Sequence, residues 1–193
     1  MLEGAAVRLV PLTEDHLPEL RRIRATPEVR ARWGEPEDDG TDDDVTCFVI
    51  VVDGAVRGMV QYGEEDDPDY RHASIDIYVD PAVHGRGIGK DAVRTLARHL
   101  VDDRGHHRIV IDPAADNVAA IRCYEAVGFR PVGVMRHYER DTDGRGWHDG
   151  LLMDLLSAEL RASDVRSASS AASDVRSASP RSDRTLTCRH ADQ

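Results

Sequence analysis

Three glycines at alternate positions, Gly85, Gly87 and Gly89, run straight into an apolar-periodic stretch in "HGRGIGKDAVRTLARHLV". Glycine has no Cβ, so such a turn can adopt positive φ and let its backbone approach a ligand closely. The stretch over 88–102 reads as a helix, with Ile88, Ala92, Val93, Leu96, Ala97 and Leu100 along one face. Upstream, "HASIDIYVD" alternates as a strand; downstream, "RIVI" is a short apolar strand. Strand, glycine turn, helix and strand predict one βαβ crossover. Free amides and the helix dipole at the turn favour an anion, and Arg86 and Lys90 add positive charge at its mouth.

The flanking sequence predicts the rest of one domain over 1–160. "VRLVPL" reads as a strand, and "TEDHLPELRRIRA" as a helix with Thr13 as N-cap and Leu17, Leu20 and Ile23 on one face. "TPEVRARWG" is a second short helix, with a Thr cap and Pro at its first position. "TCFVIVVDGAVRGMVQY" reads as two strands around an Asp-Gly turn. The helix "DNVAAIRCYEAVG" and the strands "FRPVGVMRHYE" and "WHDGLLMDLL" complete the order βααβββαβαββ. The fold class is α/β: a mixed, mostly antiparallel twisted sheet of six to seven strands with a central crossover and flanking helices. From Arg161 the chain is rich in Ser, Ala, Asp and Arg, with the octet "ASDVRSAS" at 162–169 and 172–179. Little there can be buried, so 161–193 is expected to be a disordered tail.

Charge narrows the function. The net charge of −11 argues against nucleic acid, whose phosphates need a basic face, and suits a cationic partner. Acid clusters at 35–44 and 64–69 read either as solvated loops or as a funnel for such a partner. Cys47, Cys123 and Cys188 are far apart and form no CxxC pair, and no HExxH occurs, so neither a disulfide framework nor a metal site is expected. His106 and His107 suit the start of a strand. No apolar run reaches membrane-spanning length and the first residues lack a basic head, which places the chain in the cytoplasm, away from membranes.

Three phosphate-binding designs compete for the glycine turn. A Walker loop fails, because Asp91 follows Lys90 where a hydroxyl should meet magnesium. Gly87, Gly89 and Ala92 match a dinucleotide fingerprint, with Asp112 about twenty residues on. There, however, the strand should run directly into the first glycine, and "DPAVH" intervenes. The third design is the pyrophosphate loop of acyl-coenzyme A transferases. "VDPAVHGRGIGKDAV" resembles the Gcn5-related N-acetyltransferase pattern [QR]xxGx[GA], with His84 where that family usually has Gln or Arg. "NVAAIRCYEAVGF" is similar to the family's second signature, through Asn117, Ala120, Tyr124, Gly128 and Phe129.

This resemblance, over residues 5–156, implies acetyl-CoA as acetyl donor. The donor is held by the backbone of Ile77, Tyr78 and Val79, by the loop His84, Gly85, Arg86, Gly87, Ile88, Gly89 and Lys90, and by Asn117 and Ala120. Tyr124 would donate a proton to the leaving thiolate. Asp76, a mid-strand carboxylate on the face shared with Tyr78 and Asp80, would take one from the substrate amine. "IDPAADNVAAIRCYEAVGF" further resembles aminoglycoside 6′-N-acetyltransferases, which implies that Asp76, Asp112 and Asp149 meet the substrate's ammonium groups. Trp33 would line the cleft and Glu35 approach it, while the 138–146 loop departs from the better-known members. Peptide or ribosomal-protein N-acetylation, polyamine acetylation and a non-catalytic acyl-CoA sensor stay open as alternatives. Oligomeric state is not legible.

Overall fold

A computed structural model describes residues 1–35 and 44–162. Its sheet has eight strands: β1 (Leu2–Glu3), β2 (Arg8–Pro11), β3 (Val45–Val52), β4 (Ala55–Glu65), β5 (His72–Val79), β6 (Arg108–Ile111), β7 (Arg130–Arg140) and β8 (Trp147–Leu156). The spatial order is β1-β2-β3-β4-β5-β6-β8-β7. Every neighbour is antiparallel except β5 and β6, the pair joined by the predicted crossover. The expected count of six to seven misses β1, two residues too short to leave a period-2 pattern.

Helices cover both faces. On one, α3 (Ile88–Asp102) and α4 (Val118–Val127) pack over a core that includes Leu9, Ile50, Ile75, Leu96, Ile109 and Leu155. On the other, α1 (Leu17–Arg24) and α2 (Pro27–Trp33) enclose Leu20, Ile23, Val29, Val49 and Tyr78. Burial on both sides is why "FVIVV" in β3 is continuously apolar rather than alternating. A short 3₁₀ turn, Glu14–His16, precedes α1, so that helix begins later than the sequence suggests, although Thr13 does cap the turn. Thr26 differs from expectation: its hydroxyl donates back to the Ile23 carbonyl (2.7 Å) instead of capping α2. The Asp53-Gly54 hairpin is confirmed, with φ of 51° and 79° at its two residues.

Two anchors hold the crossover in place. The Asp91 carboxylate, in the first turn of α3, accepts the amides of Ala5 (3.1 Å), Ala6 (2.6 Å) and Val7 (3.1 Å), and so ties the N-terminal segment to that helix. At the opposite end, Glu64 pairs with Arg104 and with buried His106, each at 2.6 Å. The Arg104 bond outweighs burial, and with help from His106 it holds the Glu64 carboxyl at about 2. Glu64 is therefore a structural acid, neither a solvated loop charge nor part of a funnel. Residues 1–160 form one unit. Most of the 35–44 acid cluster and the repeated octets lie outside the described residues.

Candidate active site

The β5–β6 ladder is short: only Ala73↔Ile109 and Ser74↔Val110 pair. Beyond Ser74 the strands diverge, so residues 75–79 of β5 have no ladder partner on the β6 side. The gap lies beside Ile77 and Val79, whose backbone the resemblance assigns to the donor. Ile77 lines the resulting cavity, while the Tyr78 side chain points to the other face, edge-on to Trp33 at 5.0 Å.

Past the end of β5 lies the glycine turn. Gly85 and Gly87 have φ of 75° and 78°, and a Cβ at either would meet nothing within 4 Å, so the glycines serve backbone conformation rather than packing. The first bond of the α3 ladder is Asp91 N–H to the Gly87 carbonyl (3.0 Å). The amides of Ile88, Gly89 and Lys90 precede it and have no acceptor within the helix. His84 Nε2 sits 3.1 Å from the Val79 carbonyl, bracing the turn against the strand end. Arg86 reaches Asp53 only at 4.0 Å, and Lys90 is exposed. This loop therefore fits a diphosphate: its residues are bare amides at a helix N-terminus, flanked by two cations.

A cavity of about 740 Å³ opens between α2, the ends of β5 and β6, α4 and the β7–β8 hairpin. It brings together Trp33, Asp76, Ile77, Asp112, Asn117 and Tyr124, six of the residues expected from sequence. Trp33 is fixed by its contact with Tyr78 and by Arg24, whose guanidinium lies 5.8 Å from its ring centre. Asn117 Oδ1 accepts the Ala120 amide (3.2 Å) and so caps α4. Tyr124 is buried in that helix near Phe129.

Two acid–base groups are perturbed. The Asp76 carboxylate is open to the cavity but surrounded by protein. Burial, then the charges of Asp112 and Glu139, push it up to about 6 against a hydrogen bond from Gln61. Burial, followed by Cys123, Asp76 and Asp112, raises the Tyr124 phenol, so it stays protonated across the physiological range. An aspartate that titrates near neutrality and a phenol that keeps its proton line the same cavity, an arrangement that can supply a base and an acid.

Two expected residues are not brought in. Glu35 is exposed and faces Arg30 at 3.5 Å. Asp149 turns away, its Oδ1 accepting the His137 amide at 2.8 Å. Their places on the cavity wall are taken by Asp116, Glu139, Asp141 and Asp143, with Arg32 and His148 among them. Arg32 bridges to Asp116 (2.7 Å), and His148 lies between Glu139 (3.2 Å) and Asp141 (3.0 Å). For Glu139, Asp141 and Asp143 the only sequence signal was the acid density of "ERDTDGR" at 139–145, within the 138–146 loop that departs from the better-known members.

The acetyltransferase (GNAT) family matches residues 9–129. The chain belongs to that family. Acetyl-CoA is the family's acetyl donor. Among relatives, the Escherichia coli [ribosomal protein bS18]-alanine N-acetyltransferase is 38% identical over 82 residues, 41% of this chain and 51% of that protein. The Klebsiella pneumoniae aminoglycoside N(6′)-acetyltransferase type 1 is 32% identical over 103 residues, 47% of this chain and 50% of that protein. The chain thus spans about half the length of the curated relatives it matches. The Vibrio cholerae spermidine N-acetyltransferase, solved with CoA and spermine, superposes with a TM-score of 0.69 at 18% identity, covering 81% of this chain and 99% of that one. That likeness is one of fold. Among the described residues no helix is long and apolar enough to cross a membrane, and no group of three or more His, Cys, Asp or Glu could hold a metal ion.

Proposed function

We propose that this GNAT protein transfers an acetyl group from acetyl-CoA to a primary amine of a polycationic small molecule, best represented by the 6′-amine of an aminoglycoside. The observation that carries this reading is the cavity wall: Asp76, Asp112, Asp116, Glu139, Asp141 and Asp143 around one opening that Tyr124 also faces. Several carboxylates at a cleft select polycations through charge and ammonium hydrogen bonds. The similarity of residues 111–129 to aminoglycoside 6′-N-acetyltransferases, and the partial match to the Klebsiella enzyme, support the same substrate class.

The donor supplies an activated thioester, and the amides of 85–90 are suited to its diphosphate. Asp76 takes the proton from the attacking ammonium, so that neutral nitrogen forms the C–N bond. As the tetrahedral intermediate collapses the C–S bond breaks, Tyr124 gives its proton to the sulfur, and the surplus proton left on nitrogen passes through solvent to restore the phenol. Asp112 orients the amine beside Asp76. A second reading, acetylation of a protein N-terminus, is favoured by the 38% identity to the bS18-alanine enzyme. The test is thiol release from acetyl-CoA against paired aminoglycosides bearing a 6′-amine or a 6′-hydroxyl, with spermidine and an alanine-terminated peptide alongside. Turnover of the 6′-amine drug and almost none of its hydroxyl counterpart is expected. Activity confined to the peptide or to spermidine would overturn the aminoglycoside reading.

A further inference from the structure

Strand β8 organises one wall of the cavity through three consecutive residues. The Asp149 carbonyl accepts the Ala115 amide (2.8 Å), Gly150 bridges Ala114, and the Leu151 amide donates to the Pro113 carbonyl (2.8 Å). These contacts pin the segment that follows Asp112 onto β8. On the other side of β8, the ladder to β7 is interrupted. Met135 pairs with Gly150 and Glu139 with His148, so residues 136–138 stand opposite Asp149 alone. His137, at the centre of this bulge, has φ of 52°, an uncommon conformation for a residue with a side chain. The carboxylate of Asp149 stabilises it by accepting the His137 amide that the broken ladder leaves without a strand acceptor.

Bulges beside active sites re-aim side chains, and this one lays Tyr138 across β8 toward the Asp112 segment; hydrogen bonding to the Asp112 carboxylate, then burial, raises its phenol to about 12. The ring crosses at Gly150, where a Cβ would lie 2.8 Å from Tyr138 Cδ1 and 3.1 Å from Met135 Cε. Only glycine leaves that path open. We propose that Asp149 is a positioning residue: it fixes the bulge at His137, which lays Tyr138 over Gly150 and so tethers Asp112 beside Asp76. This assignment rests on the acetyl-transfer reading and departs from the resemblance, which implies that Asp149 meets the substrate directly.

The tether acts against electrostatics. Asp112 and Asp76 are like charges, and without a partner Asp112 would relax toward solvent. The groups facing the pair are Tyr124 on α4 and Glu139 on β7, with His148 on β8 held against Glu139. Loss of the tether moves Asp112 away, weakens the repulsion on Asp76 and makes Asp76 a weaker base.

The experiment is a carboxyl-carbon NMR titration of Asp76 in the ligand-free protein, paired with pH profiles of kcat and KM. In Asp149→Ala and Tyr138→Phe the Asp76 midpoint should fall by about half a pH unit, with the acid limb of kcat/KM following it. The double variant should go no further than either single one. Asp149→Asn, whose side-chain oxygen still accepts the His137 amide, should restore most of both quantities. If Asp149→Asn raises KM for a polycation as much as Asp149→Ala while the Asp76 midpoint stays put, Asp149 contacts substrate and the proposal is wrong. An unmoved midpoint in Tyr138→Phe would overturn it equally. Should the wild-type protein acetylate no amine, the functional reading fails separately, and the titration still decides the tether.

Discussion

Asp76 occupies a mid-strand position where the surrounding protein and two neighbouring carboxylates disfavour its charge. Its folded-state value, about 6, lies above the ordinary 3.8, so the folded protein binds this proton more tightly than the unfolded chain does. The contribution to stability therefore falls as pH rises from about 4 to about 6 and stays at its lower level above that. Asp76→Asn should melt higher than wild type at pH 7.5, and the difference should vanish near pH 4 in calorimetry. The same substitution should lower kcat about a hundredfold, as should Tyr124→Phe, both with little change in coenzyme affinity. A tenfold loss of coenzyme binding in either would mean that these side chains hold the donor instead. A group that destabilises the fold yet sits in a cleft marks a site kept for chemistry.

Among the elements, α3 has two roles at its N-terminus. Its first amides have no acceptor within the helix, while Asp91 in the same turn looks the other way and accepts three amides of the N-terminal segment. Gly4 makes that approach possible: a Cβ there would come within 2.6 Å of Thr95 Oγ1 and 2.8 Å of Asp91 Oδ2. Asp91→Ala should cost about 2 kcal/mol in urea denaturation, since three backbone amides, that of Val7 partly buried, lose a charged acceptor. The helix itself and the Asp53-Gly54 hairpin were legible because each depends on neighbours within a few residues. The Thr26 cap was not, because its hydroxyl finds the Ile23 carbonyl at the end of the preceding helix.

For the molecule as a whole, the charge that bears on a ligand is that of the cavity wall, which carries six carboxylates: Asp76, Asp112, Asp116, Glu139, Asp141 and Asp143. Arg32 and Arg140 offset part of it, but carboxylates dominate the wall. Such a field concentrates a polycation near the site, and salt screens it over about 10 Å at 0.1 M. Raising ionic strength from 50 to 500 mM should therefore raise KM for a polycationic amine several-fold more than KM for a monoamine of similar size. Equal rises would assign the carboxylates to structure.

The glycine turn, the helix behind it and the spacing to "NVAAIRCYEAVGF" were enough to foresee the crossover and a site drawing on Asp76, Asp112 and Tyr124, because signatures that bind through backbone need specific residues at fixed offsets. Trp33 was reached the same way, by resemblance over a continuous stretch. What tertiary structure alone decided is the hairpin wall. Glu139, Asp141 and His148 enter the cavity, and Asp149 leaves it, because an irregular β7–β8 register rotates side chains by amounts no alternation rule can give. The basicity of Asp76 likewise came from burial and two distant charges, which a linear sequence does not place within reach of one another.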